Sequence, residues 1–324
     1  ARDYMEVILA GNVFSHMYFG LNAVLRSASK PRHAMFATIF TVVINTLLDP
    51  IFIYTFQLGI RGAAYATILS QILALIWQMK LFSNKKELIR FTSGTYRKDL
   101  VRNIIGIGMS PFAMNVCACI VVIFINKGFV AYGGDLAVGA YGIDNRVAFF
   151  FIMITMGVTQ GMQPIAGYNY GSQQLDRLMK VLRYSVYAGV AVMTTGFLVA
   201  MFLPELCVRM FTSDETLIAM AVRGIRIDMA AFPVVGYQMV VTNFFQSIGK
   251  AKISMFLSLS RQLLFLIPLL IVLPPQLGVD GVWLSLPVSD VIAAIVAAVM
   301  MFIYMKKFNR QHKELTYGKQ ENYH

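Results

Sequence analysis

Apolar residues in this chain gather into long runs, and the charged residues fall almost wholly between the runs. Runs of the roughly 20 residues that a helix needs to cross a bilayer can be drawn at about 4–25, 34–56, 62–82, 104–130, 138–166, 184–204, 225–246, 253–274 and 282–305. The pattern predicts an all-α, polytopic membrane protein with about nine spans. Gly and Pro sit inside several runs, as they do more often in membrane helices than in soluble ones. SNKKELIRFTSGTYRKDLVRN (83–103) is the one long polar segment with its own apolar minority, Leu88, Ile89, Phe91, Leu100 and Val101, and reads as a surface-lying cytoplasmic linker. YGSQQLDRLMKVLRYS (170–185) reads as a shorter amphipathic cytoplasmic helix, and the polar stretch 307–324 as a frayed cytoplasmic tail.

The pattern also repeats itself, in parallel, about 220 residues along. LRSASKPRHAMFATIF (25–40) lies over FQSIGKAKISMFLSLS (245–260), pairing Ser27 with Ser247, Lys30 with Lys250, Met35 with Met255 and Phe36 with Phe256. LGIRG (58–62) lies over LGVDG (277–281), one residue out of phase, as a single loop deletion would give. Parallel internal repeats are an architectural signature of secondary transporters. The expected organisation is two lobes, 1–82 and 104–306, related by a pseudo-twofold axis along the membrane normal, with 25–82 superposing on 245–302. Residues 104–220 hold three apolar helices without a counterpart. The first lobe is therefore expected to be truncated by three helices.

Composition agrees: 57% of residues are hydrophobic and 14% charged, and the mean hydropathy is +0.64. The formal net charge of +12 does not point to nucleic acid, because Lys and Arg crowd into alternate connections, those near 30, 90, 177, 250 and 310. By the positive-inside rule these face the cytoplasm, and the connections near 59, 134, 214 and 278 face outward. Cys117, Cys119 and Cys207 lack neighbouring ligand partners in sequence and read as buried thiols. Neither a Walker A loop nor HExxH nor GxSxG occurs, so neither an enzyme nor an organic cofactor is expected, and coupling to an ion gradient is the simpler expectation.

The chemistry then rests on polar groups that membrane depth makes costly. Asn45 and Asp49 lie four residues apart on one helix face, about 6 Å along its axis. Thr67, a little over one turn into the returning helix, falls at similar depth. A carboxylate, an amide oxygen and a hydroxyl suit a proton or a hard cation such as Na⁺, with Asp49 and Asn45 as its ligands; the bland alternative is that they bridge helices. Asp144 and Arg146 can neutralise each other, locally or across to another helix, in a structural or gating role. Asn115, Asn126, Gln160, Gln163, Gln238, Asn243, Arg261 and Gln262 can line a cavity or make interhelical hydrogen bonds. Gly157 and Gly161 offer a small-xxx-small face for helix contact, and Pro111, Pro164, Pro233, Pro268 and Pro287 can kink helices.

NTLLDPIFIY followed by LGIRGAAYATILSQI resembles the multidrug and toxic compound extrusion (MATE) family. GMQPIAGYNYGSQQLDR (161–177) and FQSIGKAK resemble the ends of that family's eighth and tenth helices. The likeness spans essentially the whole chain, as helices four to twelve of twelve. It implies that Asn45, Asp49 and Thr67 match the N-lobe cation-site positions of the DinF-like branch, whose further Asp, on the first helix, has no match here. The NorM-like branch uses acids on helices seven and ten. Residues 104–130 contain no Asp or Glu and Val235 stands near the helix-ten position, so no cation site is expected in the second lobe. The resemblance implies a monomeric, multi-pass antiporter of the plasma membrane, the bacterial inner membrane, surrounded by lipid and exporting organic, amphipathic cationic compounds against H⁺ or Na⁺. The alternatives are a lipid-linked precursor flippase of the same superfamily and a truncated, non-transporting membrane protein.

Overall fold

The computed structural model describes residues 2–28, 30–83 and 97–321. Every element among them is helical, and seven helices are long and apolar enough to cross a membrane. The chain divides into two compact units, Ala1–Tyr96 and Arg97–His324. Of the linker expected at 83–103, residues 84–96 lie outside the described residues.

Unit 1 is built from α1 (Arg2–Ser27), α2 (Pro31–Pro50) and α3 (Gly59–Ser83). Pro31 opens α2, where its missing N–H costs nothing, and beyond Pro50 the helix widens into a π turn, Ile51–Thr55. Small residues let α1 and α3 come close: Gly11 faces Ile68, and an added methyl would lie 2.3 Å from that side chain. The buried Asn22 amide ties α1 to α2 by donating to the Ala34 carbonyl at 3.0 Å. Tyr18, Ala37, Ala74 and Leu75 form one apolar cluster, and Leu25, Ala34 and Phe82 a second.

Unit 2 opens with α4 (Lys98–Gly171), whose continuous hydrogen bonding hides a break at Gly134, with φ 66° and ψ −166°. Only glycine takes that conformation cheaply, so α4 supplies two spans. Then come α5 (Leu175–Phe202), the short α6 (Pro204–Arg209), α7 (Glu215–Asp228), a 3₁₀ turn at Met229–Ala231 and α8 (Phe232–Ser247). Asp214 caps α7, accepting from the Thr216 and Leu217 backbone N–H groups. Those bonds, with the Thr216 hydroxyl first, hold its carboxyl below the usual value. The run continues through α9 (Ala251–Leu259), a π turn at Ser260–Leu266, α10 (Ile267–Val272), α11 (Pro274–Leu277) and α12 (Val279–Glu321). Trp283 is 1% exposed at the centre of an apolar core with Phe129 and Met193, its ring 4.7 Å from Phe129 and 6.1 Å from Tyr141. A second core gathers Leu178, Val240, Phe244, Phe245 and Leu257.

Several expectations need correction. The amphipathic stretch 170–185 is not a separate helix, because nothing between Leu175 and Phe202 interrupts the hydrogen bonding and the charged residues occupy the first turns of α5. The polar tail carries helix on to Glu321. An added methyl on Gly157 or Gly161 meets nothing within 4 Å, whereas the close helix contact falls at Gly236, where an added methyl would lie 2.7 Å from the Gly189 carbonyl oxygen on α5. Cys119 is exposed and Cys117 and Cys207 are intermediate, so none is a fully buried thiol.

Each unit, taken by itself, carries the same local devices. Gly59 (φ 53°), the first residue of α3, and Gly278 (φ 62°), just before α12, take left-handed φ values. Gly62 and Gly281 then press on the preceding backbone, where a methyl would lie 2.7 Å from the Phe52 carbonyl oxygen and 2.5 Å from that of Leu273. Ser27 and Ser247 return hydrogen bonds three residues back, at 3.0 and 2.7 Å, as do Ser70 and Ser289, at 2.8 and 2.7 Å. In unit 1 Asp3 pairs with Arg61. In unit 2 the matching positions hold the reverse charges, Arg223 paired with Asp280.

Candidate functional site

In unit 1 the expected trio converges. Helix periodicity puts Asn45 and Asp49 on one face of α2, and the Asn45 amide donates to Asp49 Oδ1 at 3.3 Å and to Thr67 Oγ1 on α3 at 3.4 Å. Thr67 donates its own proton back to the Ala63 carbonyl at 2.9 Å, leaving its lone pairs toward Asn45. All three side chains are partly buried. Pro50 and the π turn follow Asp49 directly, and such turns gather at functional positions because they leave backbone groups without their usual partners. The amide bridging carboxylate and hydroxyl leaves acceptor oxygens on Asp49 available to a proton or a cation.

Unit 2 holds a second polar group, of which Asp144 and Arg261 stood out in the sequence and Asp228 and Asp290 did not. Asp144, on the second half of α4, is 1% exposed. Its carboxyl meets that of Asp228, the last residue of α7, while its Oδ1 has no hydrogen-bond partner among the described residues. Arg261, in the π turn, donates to Asp290 Oδ1 on α12 at 2.9 Å. Asp228 feels both members of that ion pair, and Tyr141, one turn before Asp144, bonds Asn145 at its edge. Arg146 does not neutralise Asp144: residues two apart on a helix diverge by about 200°, and Arg146 is exposed, with its guanidinium 5.7 Å from the Phe211 ring centre. Asp228 and Asp290 were absent from the expected residues, although an acid inside an apolar run is itself the signal, as in IRIDMAAFP and PVSDVIAA.

The expected cavity residues divide. Gln163 donates to Asn243 at 3.1 Å, an interhelical bond between α4 and α8, and the Asn243 amide donates to the Met239 carbonyl at 2.9 Å. Gln238 is buried on α8. Gln160 and Asn115 are both exposed, on α4. Arg261 is taken up by Asp290 and the Gln262 Oε1 is buried beside it without a partner among the described residues.

Comparison with known proteins identifies the scaffold. The MatE family profile matches residues 111–272, half of the chain. The multidrug export protein MepA of Staphylococcus haemolyticus (strain JCSC1435) is 28% identical over 312 residues, covering 95% of this chain and 67% of that protein. MepA of Staphylococcus saprophyticus subsp. saprophyticus is 24% identical over 317 residues, covering 97% and 70%. Among solved structures, an outward-facing multidrug resistance MATE family transporter of the MOP superfamily matches with a TM-score of 0.88 at 23% identity, over 94% of this chain and 69% of that one. A MOP superfamily transporter from Pyrococcus furiosus matches with a TM-score of 0.85 at 23% identity, over the same shares.

Proposed function

The chain belongs to the MATE family and is a multi-pass transporter of the plasma membrane, and from that membership we propose that it exports organic, amphipathic cationic compounds against a gradient of H⁺ or Na⁺. The relatives named as multidrug export proteins support the cargo class. The observation that carries the coupling site is the Asn45 amide held between Asp49 and Thr67 across two helices. An intramembrane acid is costly unless it is paired, protonated or liganded. Binding a proton or Na⁺ at Asp49 removes that cost and restores it on release. Because an ion shifts a conformational equilibrium only by its differential affinity for two states, the α2–α3 packing around the trio is the element the ion biases, and its occupied form releases cargo outward.

The test is efflux of a fluorescent cationic dye from proteoliposomes with the Na⁺ or the H⁺ gradient imposed alone. Export driven by one gradient and abolished by its collapse supports the reading. Equal dye movement with no gradient at all contradicts it.

A further inference from the structure

Unit 2 brings three carboxyls and one guanidinium together from four separate elements. Arg261 and Asp290 satisfy each other across 2.9 Å. That leaves Asp144 and Asp228 carboxyl against carboxyl, with one Asp144 oxygen buried and unpartnered. Two carboxylates in contact away from water repel, and such a pair is stable when one proton is held between them. A metal is the other way to relieve the repulsion, but among the described residues no three His, Cys, Asp or Glu side chains are arranged to hold one. The charged and titratable groups acting on the pair are Tyr141 from its own helix, Asp290 from α12 and Arg261 from the π turn. Arg146 turns away to Phe211.

We propose that unit 2 contains a proton-binding site of its own, in which Asp144 and Asp228 share one proton and the Arg261–Asp290 ion pair is the adjoining fixed charge. Its position gives it leverage. Asp228 is the last residue of α7, directly before the 3₁₀ turn that separates α7 from α8, and Arg261 sits in the π turn between α9 and α10. Loss of the shared proton leaves three carboxylates beside a single guanidinium, so Arg261 is drawn from Asp290 toward Asp228. Proton occupancy is thereby tied to the two irregular turns of the unit. The site's existence is independent of the transport reading; only its use in export rests on that reading.

Infrared difference spectroscopy of the whole chain in lipid, at neutral pH in H₂O and D₂O, tests it. Wild type is expected to show the C=O stretch of a protonated, water-shielded carboxyl. Asp49→Asn should keep that band, and the double variant Asp144→Asn/Asp228→Asn should lose it while remaining monodisperse. Equal bands in wild type and the double variant, or no protonated carboxyl in wild type, would overturn the proposal. Should the double variant fail to assemble, Asp228→Glu supplies the same decision: it displaces the partner and should shift the band, and an unmoved band overturns the proposal. Failure here leaves the Asp49 account intact, since the dye assay does not depend on it, and failure of that account leaves the infrared result intact.

Discussion

The two units build the same local scaffold and place their polar chemistry at different positions on it. In unit 1 the acid, amide and hydroxyl lie on α2 and α3, partly buried and bridged by one amide. The matching positions of unit 2 are apolar: Leu264 or Phe265 for Asn45, Pro268 or Leu269 for Asp49, Leu286 for Thr67. Conversely, Asp228, Arg261 and Asp290 fall at Ile8, Thr41 and Gln71 of unit 1. What the repeat keeps is what the backbone needs: left-handed glycines, methyl-free contacts with carbonyls, serines bonded to the preceding turn. What it varies is the set of residues that a membrane makes expensive. Duplicated packing thus does not entail duplicated sites.

Substitutions at matched positions sharpen or break that contrast. Arg261→Ala should cost about 3 kcal/mol, because it strands the Asp290 carboxylate, whereas Thr41→Ala in unit 1 should stay within about 0.5 kcal/mol; comparable losses in thermal unfolding in detergent would erase the difference. Gly62→Ala and Gly281→Ala should each cost about 1–3 kcal/mol, since both drive a methyl onto a carbonyl. Unequal losses would show that the shared turn is fastened differently in the two units. Thr67→Val removes one partner of the Asn45 amide, worth about 1 kcal/mol or roughly a fivefold weaker apparent ion affinity in export, and Leu286→Val at the matched position should leave ion affinity unchanged.

The smallest effect concerns Asp214, whose carboxyl is held below its usual value by the Thr216 hydroxyl and the backbone of α7. A lowered folded value means stability that is fully present above the unfolded value near about pH 4 and is lost as pH falls through the folded one. Asp214→Ala should therefore lower the unfolding temperature slightly at neutral pH and not at all at strongly acidic pH.

How much of this was legible depended on sequence distance. Asn45 and Asp49 are one helical turn apart and Thr67 follows a short turn, so periodicity alone placed them at one depth. Asp144, Asp228, Arg261 and Asp290 come from four elements spread over nearly 150 residues, and no local period relates them. Asp144 and Arg146 do not pair, because residues two apart in sequence fall on different faces of a helix, and Arg146 lies over Phe211 instead. Asp228 stands seven residues before Val235, early in its span and ahead of the 3₁₀ turn, so it is not at the helix-ten position where the family resemblance places an acid. The helical, membrane-crossing character of the chain was legible from apolar runs, although seven helices among the described residues are long and apolar enough to cross a membrane where about nine runs can be drawn. The length of α5 was not legible, since charged residues at a span's end continue a helix as readily as they close one.

Export by Asp49→Asn tests the central claim most directly, because the amide keeps the shape and hydrogen bonding of the site and removes only its titratable charge. With matched amounts of protein in proteoliposomes and the driving gradient imposed, the variant should fold and insert as wild type does, yet export dye no faster than liposomes without protein. Gradient-driven export at the wild-type rate would contradict the account and reduce Asp49 to a bridge between α2 and α3.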